Sequence, residues 1–262
     1  MNIQLLDKQE NTISFLFKGI NPVIANTLRR LIINEVPVMA IEEVEISKNS
    51  SALYDETIAH RLGLIPIKTD LKSYNLPSEC KCEGKGCQNC QLKLILKTKG
   101  PCIVHSSELK SQDPKVKPIF PNIPITKLLE NQELVLEAQA VLGKGSDHMK
   151  FSPALAFYRG YPELIVKQDS KLKEFAEQAP KGLVKVEGRK IEIDDVLKWN
   201  ESCFDYAKEN NINVKLSEED FVFEIESWGQ LSTKEILLNA VKAFDEKLDD
   251  FSKQLKKIKE TA

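Results

Sequence analysis

Residues 21–46, NPVIANTLRRLIINEVPVMAIEEVEI, read as a capped helix running into a strand. Asn21 supplies an N-cap oxygen, and Pro22 stands at the first helical position, where a missing N–H costs nothing. Val23, Ile24, Thr27, Leu28, Leu31 and Ile32 recur at helical spacing and predict an apolar stripe on a helix of about 13 residues. Arg29 and Arg30 project elsewhere. Pro37 ends the helical region. Val38 to Ser47 reads as a strand, with Ile41, Val44 and Ile46 at its apolar positions.

Toward the N-terminus, Ile3 and Leu5, then Ile13, Phe15 and Phe17, alternate with mostly polar neighbours and predict two strands joined by a turn at Lys8 to Asn11. Toward the C-terminus, a short amphipathic helix is expected around Asp55 to Leu62. Strands are expected at Gln91 to Lys97 and Glu133 to Leu142. Between them QDPKVKPIFPNIP (112–124) carries four prolines, which suit an extended loop. Phe151 to Val166 predicts two β segments around a turn at Gly160–Tyr161–Pro162. Residues 162–216 then read as strand (Leu164–Lys167), helix (Ser170–Gln178), strand (Leu183–Val186), strand (Lys190–Ile193), helix (Asp194–Glu209) and strand (Ile212–Leu216). That βαββαβ order is ferredoxin-like. Phe221, Phe223 and Ile225 alternate as a further strand.

The last segment is a long helix. Ser232 and Glu235 form a capping box, and the helix is expected to run to Lys259. Leu237, Val241, Phe244, Leu248, Phe251, Leu255 and Ile258 are spaced alternately by four and three, the seam of a heptad repeat. A helix of that length exceeds what a small domain needs, so its far end is expected to meet a partner helix.

The chain has 262 residues, with 37 Lys+Arg against 39 Asp+Glu and a net charge of −2. A near-neutral chain is not a general polyanion binder, because non-specific nucleic-acid affinity comes from Lys and Arg neutralising phosphates. A hydrophobic content of 42% and a charged content of 29% suit a soluble globular protein of one to three domains. Neither a bilayer-spanning run nor a secretory signal is visible, and a cytoplasmic protein is expected.

Four of the six cysteines lie within one loop: Cys80, Cys82, Cys87 and Cys90. Four thiolates match the tetrahedral, soft-ligand preference of Zn2+. Gly84 and Gly86 let the backbone turn so that both sulfur pairs face one ion. An iron–sulfur cluster also takes four Cys, and unligated thiols are the remaining alternative. A four-thiolate zinc is structural, since no position is left for a catalytic water. His60, His105 and His148 have no partner at nucleophile spacing, and His60 reads as a structural histidine in an apolar setting. No phosphate-binding glycine motif follows a strand. Lys144, His148, Lys150 and Arg159 form a basic cluster that reads as a solvated or interfacial face, and Cys203 reads as a core thiol.

Four segments carry a resemblance: residues 21–46, SSALYDETIAHRLGLIPI (50–67), SQDPKVKPIFPNIPITKL (111–128) and GKGSDHMKFSP (143–153). In sequence and order they resemble the D-subunit family of archaeal DNA-directed RNA polymerase. That family is similar to the third-largest subunit of eukaryotic RNA polymerase II and to the bacterial alpha N-terminal domain.

The resemblance implies an α+β fold. It has a discontinuous alpha-like dimerisation domain (1–48, 152–165 and 217–262) and an inserted, mainly β domain with the Cys loop (49–151). A ferredoxin-like domain (166–216) completes it. The implied role is a non-catalytic assembly platform of DNA-dependent RNA polymerase. The expected partners are the small alpha-like L-subunit, the large catalytic subunits and the small zinc subunits, with DNA met only through the assembled complex and no membrane. Leu28, Arg29, Arg30, Leu31, Leu237, Val241, Phe244, Leu248, Phe251 and Leu255 are the expected partner-binding residues, Arg29 and Arg30 by match to the family's LRR motif. Cys80, Cys82, Cys87 and Cys90 are expected to hold one structural Zn2+. Some members carry a [4Fe–4S] cluster in the third domain; Cys203 alone cannot hold one, so none is expected. A zinc-loop nucleic-acid-binding module and a metalloenzyme are the other classes.

Overall fold

A computed structural model describes residues 1–165, 183–187, 190–210 and 212–261. The elements are mixed. β1 (Asn2–Lys8), β2 (Thr12–Lys18), α1 (Pro22–Asn34), β3 (Val38–Asn49) and α2 (Asp55–Gly63) come first. Next are β4 (Gln91–Lys99), β5 (Cys102–His105), β6 (Lys110–Ser111), β7 (Pro124–Leu128) and β8 (Glu133–Gly143). β9 (Ala154–Ile165), β10 (Val184–Glu187), β11 (Lys190–Ile193), α3 (Glu201–Glu209), β12 (Asn213–Ser227) and α4 (Thr233–Thr261) complete the order. The chain divides into two compact units, both discontinuous: Met1–Gln9, Ile13–Thr27 and Phe157–Glu224 form one, and Glu10–Thr12, Leu28–Ala156 and Ile225–Ala262 the other.

The first unit is built on a sheet of order β1-β2-β12-β9. β1 and β2 pair antiparallel, with Ile3 opposite Phe17 and Leu5 opposite Phe15. Phe15 stacks on Phe223 at 5.3 Å between ring centroids, and Tyr158 meets Phe221 edge-on at 5.5 Å. Leu16 and Val222 point to the opposite face and pack with Val196. Both faces of the central strands are therefore covered. That is why TISFLFK is buried from Ser14 to Phe17, where alternation alone would bury every second residue. A second core joins Leu183, Trp199, Cys203, Ala207 and Ile212.

Three expectations in this region change. The turn at Gly160–Tyr161–Pro162 is absent, because β9 runs straight through it. A Cβ on Gly160 would lie 2.6 Å from the Ser217 carbonyl oxygen, so the glycine marks a close backbone approach. Pro162 is tolerated because β9 is last in its sheet, where a missing donor breaks no ladder. The helix read over Asp194–Glu209 is interrupted: Val196–Lys198 is a 3-10 turn, and Asn200 caps a new helix by accepting from Cys203 N–H at 3.3 Å. The strands read at 212–216 and 221–225 are one strand, β12. The helix read over Ser170–Gln178 lies outside the described residues.

The second unit holds an antiparallel sheet of order β3-β8-β4-β6 and a smaller β5-β7 pair. Leu134, Leu136, Ala138 and Ala140 alternate with half-buried neighbours along β8, and Leu92, Leu94 and Leu96 alternate with exposed ones along β4. Their inner face packs with Ile58 and Leu62 of α2 in one core. The proline-rich segment is pinned across it: Ile119 N–H donates to Pro66 C=O at 2.9 Å, and Val116 is fully buried. β7 follows directly, and its flanking prolines mask it in the sequence.

The two long helices begin as the sequence predicts. Ile24 N–H donates to Asn21 Oδ1 at 2.9 Å. Glu235 N–H donates to Ser232 Oγ at 3.3 Å while Ser232 N–H donates back to Glu235 Oε2 at 3.0 Å. The stripe on α1 is the expected one only in part: Leu31 and Ile32 are buried as read and Ala25 joins them, while Val23 is 71% and Ile24 45% exposed. No described helix is long and apolar enough to cross a membrane.

Candidate metal centre and partner face

The loop before β4 folds into three consecutive tight turns. Glu83 N–H donates to Cys80 C=O, Lys85 N–H to Cys82 C=O and Cys90 N–H to Cys87 C=O, at 2.9, 3.1 and 3.0 Å. Glu83, Gly84 and Gly86 adopt positive φ of 53°, 77° and 85°. Gly86 has a second constraint, since a Cβ there would crowd the Gln91 side-chain oxygen.

These turns gather the four sulfurs. All four Sγ atoms lie within 4.8 Å of one another. Cys80 to Cys87 and Cys82 to Cys90 are each 3.5 Å, and Cys87 to Cys90 is 3.7 Å. Zn–S bonds of about 2.3 Å put the sulfurs of a tetrahedral site about 3.8 Å apart, so the cage has nearly the size zinc requires. Cys87 N–H donates to Cys90 Sγ at 3.2 Å, a bond that orients a ligand sulfur. The group shares its protons: hydrogen bonds from Cys80 and Cys90 bring Cys82 down to about 6, and burial pushes Cys90 up to about 12. A divalent cation at the centre favours the thiolate at all four. All six cysteines are free of disulfides. The donor set fits Zn2+.

The second feature is on α4. Thr233, Ile236 and Ala240 are buried in their own unit, and Lys247, further along the same stripe, lies 2.5 Å from Glu35. The heptad seam lies about a quarter turn away, by the 3.6-residue period. Leu237 is half-buried, but Val241 is 51%, Phe244 39%, Leu248 47%, Phe251 60%, Leu255 44% and Ile258 63% exposed. From Phe244 to Ile258 every residue is exposed, on all sides of the helix. On α1, Leu28 and Arg29 are half-buried, Arg30 is exposed and Leu31 is buried.

Comparison with known proteins decides the family. Residues 44–154 match the model of the RNA polymerase Rpb3/RpoA insert domain. The polymerase subunit Rpo3 of Methanosphaera stadtmanae is 37% identical, across 95% of this chain and 97% of the relative. Those of Archaeoglobus fulgidus and Pyrococcus furiosus are 36% and 37% identical, each across 98% of both chains. The chain belongs to the Rpo3 family of DNA-directed RNA polymerase subunits.

The remaining site residues fall into place within an Rpo3-type chain. The basic residues of the sequence cluster are paired: Lys144 with Glu35 at 3.8 Å, Lys150 with Glu42, and Arg159 with Glu224 at 3.8 Å. His148 Nδ1 accepts from Lys150 N–H at 3.1 Å and so shapes a turn. His60 is exposed on α2, not lodged in an apolar setting; Ile58 and Leu62 turn inward and the imidazole turns out. Sequence reasoning missed Gln91, whose side chain lies against Gly86 of the Cys loop, and Glu35, which receives two lysines. The contact that would have revealed either spans turns or distant segments that periodicity does not see.

Proposed function

We propose that this chain is the non-catalytic assembly platform of a DNA-dependent RNA polymerase, pairing with a small alpha-like subunit and docking the large catalytic subunits and the small zinc subunits. The family membership supports this role. The observation that carries the pairing is the exposed seam of α4, whose apolar positions from Val241 to Ile258 the other described residues leave 39–63% exposed. Burying Phe244, Leu248, Phe251 and Leu255 against a partner helix would each release on the order of 1.5–3 kcal/mol of apolar transfer energy at full burial. Leu28, Arg29, Arg30, Leu31 and Leu237 complete the proposed partner-binding set. Leu31, being buried, would act through the shape of α1, and Arg30 through direct contact.

The proposed organisation keeps the discontinuous dimerisation domain (1–48, 152–165, 217–262), the insert (49–151) and a third, ferredoxin-like region (166–216). Cys80, Cys82, Cys87 and Cys90 would hold one structural Zn2+ in the insert. The third region would carry no [4Fe–4S] cluster. Its described core is apolar, with Trp199 fully buried edge-on to Phe204 and Cys203 donating to Asn200 Oδ1. A nucleic-acid-binding module is not favoured, because the lysines of its candidate patch are paired with carboxylates.

Co-expression with a small alpha-like subunit tests the reading. A 1:1 complex by light scattering is expected, and Leu248→Asp should abolish it while the chain stays folded. A chain that never associates with that partner would refute the proposal.

A further inference from the structure

We propose that, when no other subunit covers it, α4 pairs with α4 of a second copy of this chain in antiparallel orientation, burying residues 241–258. This rests on reading the seam as a docking face, and it goes beyond the heterodimer by naming a second occupant that competes for the same surface.

The seam is self-complementary in one direction only. Turned antiparallel about a two-fold between Asp249 and Asp250, Val241 faces Ile258 of the copy, Phe244 faces Leu255 and Leu248 faces Phe251. Each layer of the central four then pairs one phenylalanine with one leucine, so layer widths match and the side chains interdigitate. A parallel pair would stack Phe244 on Phe244 and Leu248 on Leu248, alternating over-wide and under-filled layers.

Charge favours the same direction. Residues 241–249 carry Asp245, Glu246 and Asp249 against Lys242 and Lys247, net −1, and residues 250–258 carry Lys253, Lys256 and Lys257 against Asp250, net +2; all are exposed. Antiparallel pairing sets the acidic half of one helix toward the basic half of the other, and opposes the two helix dipoles. Of the positions that flank the central layers, Ser252 and Gln254 are uncharged and Asp245 and Lys247 carry one charge of each sign, while Asp249 and Asp250 point about a third of a turn from the seam. No like charges are therefore forced together in the buried layers.

The test uses the full chain alone at micromolar concentration. Sedimentation should give a dimer of twice the 29.7 kDa chain mass. Leu248→Asp should weaken it by about 100-fold or more, because each dimer buries two carboxylates. Leu248→Phe should weaken it, and adding Phe251→Leu should restore it by rebuilding the Phe–Leu layers. Nitroxides carried on an unnatural amino acid at position 256 should lie about 20 Å apart along the axis, about 13 residues of helical rise. A monomeric chain, a dimer indifferent to Leu248→Asp, a double variant that stays weak, or labels in near contact would each overturn the proposal. A monomer that still binds the small alpha-like subunit would overturn self-pairing alone and leave the heterodimer standing.

Discussion

Lys247 Nζ lies 2.5 Å from Glu35 Oε1, 212 residues away in sequence. This ion pair marks the point where α4 takes leave of its own core. Before it, Ile236 and Ala240 are fully buried; after it, no residue through Ile258 is. Glu35 also receives Lys144, so one carboxylate gathers two cations.

Because Lys247 is 58% exposed, its ion pair is expected to contribute little. Lys247→Ala should lower stability by about 1 kcal/mol or less in urea titration, since exposed pairs rarely exceed that. Glu35→Gln removes both pairs and should cost somewhat more. A loss of several kcal/mol from Lys247→Ala would show that the tether holds α4 in place.

Two substitutions one stripe apart should behave oppositely. Ile236 is fully buried, and Ile236→Ala should destabilise the chain by about 2–5 kcal/mol. Leu248 is 47% exposed, and Leu248→Asp should change the stability of the isolated monomer by no more than about 0.5 kcal/mol. Chemical denaturation of both variants measures the contrast.

The Cys loop should bind one zinc per chain and no iron by elemental analysis. Cys87→Ser removes a sulfur that lies 3.5 and 3.7 Å from two others, and should abolish stoichiometric zinc. Protease cleavage within 77–90 should accelerate, while the circular dichroism of the helices changes little. Unchanged zinc content in that variant would remove Cys87 from the ligand set.

The helix cap predicts an acid response. Hydrogen bonds from the Ser232 hydroxyl and then its backbone N–H hold Glu235 below its ordinary value of 4.5. A carboxylate lowered in the folded state stabilises it above the unfolded pKa, and the benefit is lost as pH falls through the folded pKa. Stability should therefore decline as pH drops below the ordinary 4.5, and Glu235→Gln, which keeps an acceptor without the charge, should flatten that decline. Thermal melts across acidic pH read the difference.

Much of this is legible in the sequence because it is local. Caps at Asn21 and Ser232, the alternation of Leu92, Leu94 and Leu96, and the C-x-C and C-x-x-C spacing each lie within one turn or strand. What is illegible depends on neighbours from elsewhere. Gly160 resembles a turn residue because its reason, the Ser217 carbonyl close by, lies on a distant strand. Val23 and Ile24 resemble core because periodicity fixes a stripe's spacing but not how far along the helix the chain's own core reaches: Leu31 and Ile32 of the same stripe are buried. The seam of α4 shows the converse. Its heptad pattern is clear, and only the fold reveals that the chain's own core uses a different stripe.

If the exposed seam ties the chain into the polymerase, breaking the seam should release the other subunits. Affinity purification of the tagged chain from its own cells, wild type beside Leu248→Asp, with the co-purifying subunits identified by mass spectrometry, asks this outright. The wild type should bring down the small alpha-like subunit and the large catalytic subunits together, and the variant should lose them all. A variant that still retains the full set would mean that the seam does not hold the assembly.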